Sequence, residues 1–245
     1  MNMCSGSAAS VPCPMNFAII AAGDGERLVR EGVTQPKPLV PLAGRPMLAR
    51  LLDIFVANAA ASISVIINDR MPEVERFIGQ WKAAHPATPL HLVVRSTPSS
   101  MHSLAALCEV LPEGRFVCTT VDTIFREEDF AAYVAAFRQC DSCLFGVTEF
   151  VDDEKPLWVV ADASQRISAF LDAGPAPYVS AGIYGMDKAV IVPILNRCLA
   201  NGESRMRNFQ RALLLADVPV RAHLFGKVMD IDHKTDIQKA EQWLA

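Results

Sequence analysis

The stretch that decides the fold is Phe17-Ala-Ile-Ile-Ala-Ala-Gly-Asp-Gly-Glu-Arg-Leu28, where a short apolar run passes directly into a turn with two glycines. A run of this length without polar alternation is typical of a strand that is covered on both faces of a parallel sheet. Similar runs follow along the chain, and segments with helical periodicity separate them. This alternation predicts an α/β domain with a largely parallel sheet.

The pattern predicts strands at 17–22, 63–67, 90–94, 115–121, 142–147, 158–161, 178–184, 218–224 and 228–231. It predicts helices at 46–59, 72–84, 101–111, 127–138, 188–200, 207–215 and 234–244. Residues 148–185 interrupt the alternation, and a hairpin is expected across 162–165. In open α/β sheets the ligand lies beyond the carboxyl ends of the strands, so the residues that follow each strand are the candidates for function.

Composition excludes several classes of protein. The chain has 245 residues, of which 51% are hydrophobic and 20% are charged, so the bulk of it is not intrinsically disordered. Its 23 Lys and Arg against 27 Asp and Glu give a net charge of −4, which argues against a nucleic-acid partner. No apolar run approaches the ~18–20 residues that span a bilayer, so no membrane partner is expected.

The N-terminal residues and the cysteines indicate how the chain is organised. Residues 1–15 lack the features of a secretory signal and predict a disordered extension, followed by a single domain over 16–245. A cytoplasmic location is then the default. Seven irregularly spaced cysteines do not make a disulfide framework. The lone Cys140-x-x-Cys143 is interpreted as two thiols at a helix-to-strand turn, and a redox pair or half a zinc site is the less favoured alternative.

The turn after the first strand has the chemistry of an anion site. Gly23 and Gly25 allow the backbone to approach an anion closely and to point N–H groups at it. The motif is neither a dinucleotide fingerprint nor a P-loop, because Leu28 takes the third glycine position and no G-K-[ST] follows. Arg27 comes next, and the irregular loop 35–47 then holds Lys37 between two prolines. On these residues alone, a surface loop with two solvated cations stays open.

The combined motif resembles a known family. A-A-G-D-G-E-R-L, followed by P-K-P-L-V-P-L-A-G-R-P-M, is similar to the signature of the sugar-phosphate nucleotidyltransferases, and the match is dense over residues 17–52. The resemblance implies a Rossmann-like three-layer α/β/α sandwich of the GT-A type with a mostly parallel mixed sheet. It also implies Mg²⁺-dependent transfer of NMP from an NTP to a phosphorylated acceptor, most directly a sugar 1-phosphate, with release of pyrophosphate and formation of an NDP-sugar.

The resemblance assigns roles around the glycine turn. The triphosphate would be cradled by the backbone of this segment, which comprises Ala21, Ala22, Gly23 and Gly25. Arg27 would bind the β- and γ-phosphates, and Lys37 would neutralise charge at the α-phosphate. One departure is Glu26, which replaces the usual Thr or Ser and is expected to point away or to weaken NTP binding.

Two acids correspond to the metal ligands of the family. Asp122 ends the strand at 115–121, and Asp230 lies near the C-terminus in Met-Asp-Ile-Asp-His. The resemblance implies that both hold Mg²⁺, which prefers hard oxygen ligands and retains several waters. A turn or helix-cap role for Asp122 is the alternative. Asp232 lies on the same side of the strand as Asp230, and Asp230 is the preferred ligand.

The residues that correspond to base and acceptor recognition each have a structural alternative. The resemblance places Ser99, Ser100 and Ser103 against the nucleobase and ribose, although a helix cap at Ser99 or Ser100 explains the same serines. Ser180 and Gly182 correspond to the acceptor pocket, or else belong to a plain core strand. The family's acceptor-phosphate lysine is missing, and the candidate replacements are Arg205, Arg207 and Lys227.

Three rival functions remain at this point. One is a cytidylyltransferase that acts on a phosphocholine-like acceptor. Another is a non-catalytic nucleotide-binding domain of the same fold. The presence of Glu26 and the absence of the acceptor-phosphate lysine would be consistent with such a domain. Molybdopterin nucleotidyl transfer is disfavoured by the complete Pro-Lys-Pro-Leu segment. The expected partners are an NTP and a phosphorylated small molecule, and the sequence leaves a homo-oligomer open.

Overall fold

The computed structural model describes residues 14–152 and 154–244. The strands are β1 Met15–Ala21, β2 Pro41–Leu42, β3 Arg45–Pro46, β4 Ala60–Ile67, β5 Leu90–Val94, β6 Arg115–Thr120, β7 Thr123–Ile124, β8 Cys143–Thr148, β9 Trp158–Ala161, β10 Ile167–Leu171, β11 Tyr178–Asp187, β12 Val220–Phe225 and β13 Met229–Asp230. The helices are α1 Glu26–Arg30, α2 Met47–Ala57, α3 Pro72–Ala84, α4 Ser100–Val110, α5 Glu127–Gln139, α6 Lys188–Ala200, α7 Met206–Leu215 and α8 Lys234–Leu244.

The main sheet has nine strands and is mixed. Its principal order is β10-β9-β11-β6-β1-β4-β5, with β8 paired to β11 and β12 paired to β8. The strands β6, β1, β4 and β5 run parallel, whereas β11 is antiparallel to each of β6, β8 and β9. The parallel part brings the carboxyl ends of these four strands to one edge, and the candidate residues follow β1, β5 and β6 there.

Helices cover both faces of this sheet, as the apolar character of β1 predicts. Phe17 and Ile19 pack with α2, α3 and α5 on one face, while Ala18 and Ile20 pack with α4, α6 and α7 on the other. Alternate side chains of one strand thus enter two separate cores, because successive Cβ atoms point to opposite faces. The expected three-layer α/β/α sandwich is confirmed.

The ends of the elements differ from expectation at a few places. Residues 1–13 of the predicted extension lie outside the described residues, and Met15 is already the first residue of β1. The helix α1 and the 3-10 turn Lys37–Leu39 were not predicted, because five and three residues are too short to show a period. The late strand predicted at 228–231 is only Met229–Asp230, which pairs with β7 outside the main sheet.

The hairpin and the cysteines are as expected in the described part of the chain. Strands β9 and β10 pair antiparallel across the turn at 162–165. All of the described cysteines are free, and Cys140 and Cys143 lie at the end of α5 and the start of β8. No described helix has both the length and the apolar character needed to cross a bilayer.

Candidate active site

A lysine between two carboxylates forms the centre of the site. The Lys37 side chain is only 10% exposed, and its Nζ lies 2.5 Å from Asp122 Oδ2 and 2.9 Å from Asp232 Oδ1. Burial disfavours the ammonium, but the charges of the two carboxylates outweigh it and raise the pKa of Lys37. The side chain is therefore a fixed cation at the edge of the sheet.

The glycine turn is shaped around this lysine. Gly25 has a φ of +63°, and a Cβ there would come within 3.0 Å of the Cβ of Lys37. A side chain at this position would meet both backbone strain and a steric contact. Gly23 differs, because a Cβ there would meet no atom within 4 Å. The space beside its Cα is therefore open.

Asp232 connects the two candidate cations. Its Oδ1 pairs with Lys37, and its Oδ2 accepts a hydrogen bond from Arg27 Nη1 at 2.6 Å. Sequence reasoning placed Asp232 on the same side as Asp230 but gave it no contact to Arg27 or Lys37. No local signal could have shown these contacts, because Asp232 lies beyond the end of β13 and its partners are about two hundred positions away in the sequence.

The strand pair β7–β13 brings the two predicted metal ligands to the same place. Asp230 is paired with Thr123, whose Oγ1 donates to Asp230 Oδ1 at 3.2 Å. The backbone N–H of Ile231 donates to the carbonyl oxygen of Asp122 at 3.1 Å. Acids more than a hundred residues apart in the sequence are therefore neighbours in the fold.

The pKa values of Asp122 and Asp230 are shifted in opposite directions. Burial raises the pKa of Asp122, but the adjacent Lys37 ammonium outweighs it and lowers that pKa overall. The surrounding protein and the charge of Asp122 raise the pKa of Asp230 above its usual range. Asp230 is exposed and lines a cavity, so solvent screening weakens this effect. Asp122 thus has a cationic partner, whereas Asp230 forms no ion pair with any residue among 14–152 and 154–244.

Two cavities open beside these residues. The glycine-loop cavity has a volume of about 490 Å³ and lies between the turn after β1, the start of α4 and Lys37. The C-terminal cavity has a volume of about 230 Å³ and lies between β11, β13 and α8. Arg27 and Asp232 line both of them. The ion pair between these two residues therefore stands at the junction of the cavities.

Most of the predicted residues line one cavity or the other. The glycine-loop cavity is lined by the predicted set Ala22, Gly23, Gly25, Arg27, Lys37, Ser99, Ser100, Ser103 and Asp122. Asp230 and Ser180 line the C-terminal cavity. Ala21 and Gly182 line neither. Ala21 is buried in the core of the α2 face. Gly182, with a φ of +70°, lies against Thr123, where a Cβ would come within 2.9 Å of Oγ1.

The serine loop and Glu26 have their own partners. Ser99 stands at the N-cap position of α4, yet its hydroxyl makes no capping bond and contacts His102 Nδ1 at 2.9 Å instead. Ser103 Oγ contacts Thr97 Oγ1 at 2.6 Å. Glu26 accepts a hydrogen bond from Arg30 at 2.9 Å, so its charge is balanced within α1. Its carboxylate is not paired with either cation of the site.

The cations that were expected to replace the missing lysine lie elsewhere. Arg205, Arg207 and Lys227 do not line the C-terminal cavity. Arg207 pairs with Asp172 at 2.5 Å, and Lys227 lies over the ring of Phe150 at 4.5 Å from its centroid. Sequence position could not show this, because these side chains come from loops and helix starts whose direction depends on tertiary packing.

A metal has only a small donor set available here. Among residues 14–152 and 154–244, no group of three or more His, Cys, Asp or Glu side chains is arranged to hold a metal ion. The pair Asp122 and Asp230 supplies carboxylate oxygens alone. Mg²⁺ is often bound by one or two carboxylates together with substrate phosphates and water, so this donor chemistry fits that ion once a polyphosphate is present.

Known proteins resemble this chain over different shares of its length. The bifunctional protein GlmU of Mycolicibacterium paratuberculosis is 26% identical over 223 residues, which are 85% of this chain and 43% of GlmU. The chain thus spans less than half of that relative. The CMP-5'-(3-aminopropyl)phosphonate synthase of Streptomyces rubellomurinus is 29% identical over 94 residues, which are 38% of this chain and 14% of that protein.

Solved structures share the fold. The inositol-1-phosphate CTP transferase from T. maritima superposes with a TM-score of 0.76 at 16% identity, covering 95% of this chain and 98% of that one. A UDP-glucose pyrophosphorylase in complex with UDP-glucose superposes with a TM-score of 0.79 at 12% identity, covering 94% and 98%. The family model of the MobA-like NTP transferase domain matches residues 17–182, which is more than half of the chain. The protein therefore belongs to the family of MobA-like NTP transferase domains.

Proposed function

We propose that this chain is an Mg²⁺-dependent nucleotidyltransferase that moves NMP from an NTP to a phosphorylated small molecule, most directly a sugar 1-phosphate. The observation that carries the proposal is the pair of cavities that meet at Arg27 and Asp232, with Asp122 lining one and Asp230 lining the other. Two substrates bound on either side of that junction would bring their phosphates together where the cations and the acids are.

The proposed reaction is a displacement at the α-phosphorus. A phosphate oxygen of the acceptor attacks, the bond to the bridging oxygen of pyrophosphate breaks, and an NDP-linked product forms. Both reactants are anions, so the chain has to position them and neutralise their charge. The glycine turn would hold the triphosphate through backbone N–H groups, Arg27 would bind the leaving pyrophosphate, and Lys37 would take up charge at the α-phosphate.

Asp122 and Asp230 would hold the magnesium ion. When bound, Mg²⁺ would polarise phosphoryl oxygens as a Lewis acid. The protein's part is to keep the two carboxylates close, through the strand pair β7–β13 and through the Thr123 hydroxyl that donates to Asp230. Lys37 partners Asp122 in the protein alone, which keeps that carboxylate ionised.

A substrate panel tests the function. The protein is incubated with Mg²⁺, each NTP in turn, and a set of sugar 1-phosphates, phosphocholine and 3-aminopropylphosphonate, while pyrophosphate release is followed. We expect release with one NTP and one acceptor, and that pair names both substrates. Silence across the panel, with NTP binding retained in a thermal-shift measurement, would contradict the reaction and favour a non-catalytic nucleotide-binding domain.

The acid-rich wall of the C-terminal cavity supports one second candidate. Asp152, Glu154 and Asp236 line it in addition to Asp230 and Asp232. Such a wall suits an acceptor that carries an ammonium group, as in the name of the aminopropylphosphonate relative. The second candidate is therefore a cytidylyltransferase for an aminoalkyl or choline phosphate, and CTP-specific release with phosphocholine or the aminophosphonate would select it.

A glycine substitution tests the triphosphate cradle. Gly23→Ala is expected to fold normally, because a Cβ there meets nothing within 4 Å. The added methyl group would occupy the space that phosphate needs. We therefore expect the Kd for NTP to rise at least about tenfold, which corresponds to a loss of roughly 1.4 kcal/mol of binding free energy. Gly79→Ala on α3 is the matched control, because its Cβ also meets no atom. Calorimetric NTP affinities of the two variants that agree within twofold would contradict the assignment.

The bridge made by Asp232 gives a further prediction. Its carboxylate competes with phosphate for Arg27 and Lys37 in the protein alone. Asp232→Asn should therefore bind inorganic tripolyphosphate about three- to tenfold more tightly when no metal is present. This gain in affinity corresponds to the free energy of one or two partly exposed ion pairs. Affinity is measured by calorimetry in EDTA, with the exposed Asp141→Asn as control. Unchanged or weaker binding would contradict this role.

A further inference from the structure

The C-terminal cavity contains few cations for the phosphate of an acceptor. Its described lining includes five carboxylates and only three basic side chains, which are Arg27, His233 and Lys239. A phosphomonoester needs at least one cationic partner there, because the carboxylates would otherwise repel it. The basic residue that takes this role must be able to exchange its present partner for the phosphate.

Arg27 and His233 are already engaged. Arg27 faces the glycine-loop cavity as well, where the proposed reaction assigns it to the leaving pyrophosphate. His233 Nδ1 lies 2.6 Å from Glu31 Oε1, and the same glutamate accepts from the backbone N–H of Lys234. This contact fixes the start of α8 against α1. Exchanging it for a ligand would loosen the helix that forms one wall of the cavity. The other ring nitrogen, Nε2, is buried and lies 3.7 Å from Glu154 Oε1, so a phosphate would have to displace that carboxylate to reach it.

Lys239 is held much more loosely. Its Nζ lies 3.4 Å from both carboxylate oxygens of Asp152 and 3.3 Å from Asp236 Oδ1, so none of its contacts is short. The side chain is 50% exposed. Long contacts at a half-exposed position are the kind that a more highly charged anion displaces. The ammonium nevertheless stays at the cavity, because two acids hold it from different segments.

The two acids behave differently once Lys239 changes its partner. Asp236 Oδ2 accepts from the backbone N–H groups of Asp232 at 3.2 Å and His233 at 2.8 Å, so it remains anchored at the start of α8. The carboxylate of Asp152 has Lys239 as its only ion-pair partner among residues 14–152 and 154–244. Asp152 would then face the rest of the acceptor, where a carboxylate suits a hydroxyl or an ammonium group.

We infer that Lys239 binds the phosphate of the acceptor, with Asp152 and Asp236 as its counter-ions in the protein alone. This inference rests on the proposed function, since it assigns a residue to the acceptor side of that reaction. It replaces Arg205, Arg207 and Lys227 as candidates for the missing cation.

Lysine footprinting tests the contact with a readout other than activity. Wild-type protein is trace-acetylated and analysed by mass spectrometry with glucose 1-phosphate, phosphocholine or 3-aminopropylphosphonate present, each with CTP or UTP and Mg²⁺. Glucose and choline serve as phosphate-free controls, and the exposed Lys234 on the same helix is the internal reference. We expect at least about fivefold protection of Lys239 by one phosphorylated probe, relative to Lys234. Protection of Lys227 instead, or of neither lysine by any probe, would overturn the inference.

Kinetics of matched variants distinguish binding from structure. For the substrate pair that the panel identifies, Lys239→Gln is expected to raise the acceptor KM at least about tenfold, with the NTP KM within twofold of wild type. Lys239→Arg should restore part of the affinity, and Lys234→Gln should match wild type. An unchanged acceptor KM, or an equal rise in both KM values, would refute the role. Protection of Lys239 without any turnover would contradict the reaction and leave the phosphate contact standing.

Discussion

Lys37→Met is expected to reduce kcat by about 10²- to 10³-fold, the usual cost of removing one preorganised donor from developing charge. The ammonium is 10% exposed and is held between Asp122 and Asp232, so neither water nor a mobile side chain can replace it efficiently. Steady-state kinetics at saturating NTP measure the effect. Lys82→Met, an exposed position on α3, is the control and should behave as wild type.

The same substitution is expected to lower the free energy of unfolding. Without Lys37, Asp122 loses its cationic partner beside two other acids, and breaking a largely buried pair costs about 3–5 kcal/mol. Addition of Mg²⁺ should recover much of the lost thermal stability but not the turnover. A variant that keeps kcat within about threefold would contradict the role of Lys37. A melting temperature that does not respond to Mg²⁺ would contradict the proposed metal site at the neighbouring acids.

Asp122→Asn is expected to have an effect of similar or greater size, with kcat lower by about 10³-fold. The exchange keeps the side-chain volume but removes a negative charge that both Lys37 and the proposed metal need. Each tenfold decrease in rate corresponds to a loss of about 1.4 kcal/mol of transition-state stabilisation. The Mg²⁺ concentration for half-maximal activity should also rise strongly. Titration of activity with Mg²⁺ measures both quantities.

Asp141→Asn provides a matched control, since Asp141 is exposed in the turn between α5 and β8. It should change neither kcat nor the Mg²⁺ requirement. If Asp122→Asn keeps a wild-type Mg²⁺ dependence, Asp122 is not a metal ligand. The Lys37 and Asp122 results are then separable, because a loss in the first with no change in the second would leave charge neutralisation by Lys37 intact.

Local signals explain why much of the fold was predictable. Helix α3 starts at Pro72 as expected, because proline suits the first helical turn. Helix α6 starts after Asp187, whose side chain accepts from the backbone N–H of Ala189. The continuous apolar run of β1 predicted burial on both faces, and its side chains do enter two cores. In each case a few adjacent residues carry the whole signal.

Parts of the candidate site depend on contacts that no local pattern encodes. Asp232 meets Lys37 across 195 positions of sequence, and Lys239 meets Asp152 across 87. Gly182 was expected in the acceptor pocket because of its motif, yet its left-handed backbone lies against Thr123. Periodicity can place a side chain on a face, but the residue opposite it is set by how β13 and α8 dock, which is a tertiary property.

The docking of β13 against β7 also has a consequence for the order of events during synthesis. The matched family segment ends at residue 182, whereas Asp230, Asp232 and Lys239 come later. A chain still attached to the ribosome can form β1, β4, β5 and β6, together with the glycine turn, before those residues emerge. It would have Lys37 and Asp122 in place but only half of the charge arrangement. The charge arrangement is therefore complete only once β13 and α8 have been made and have docked.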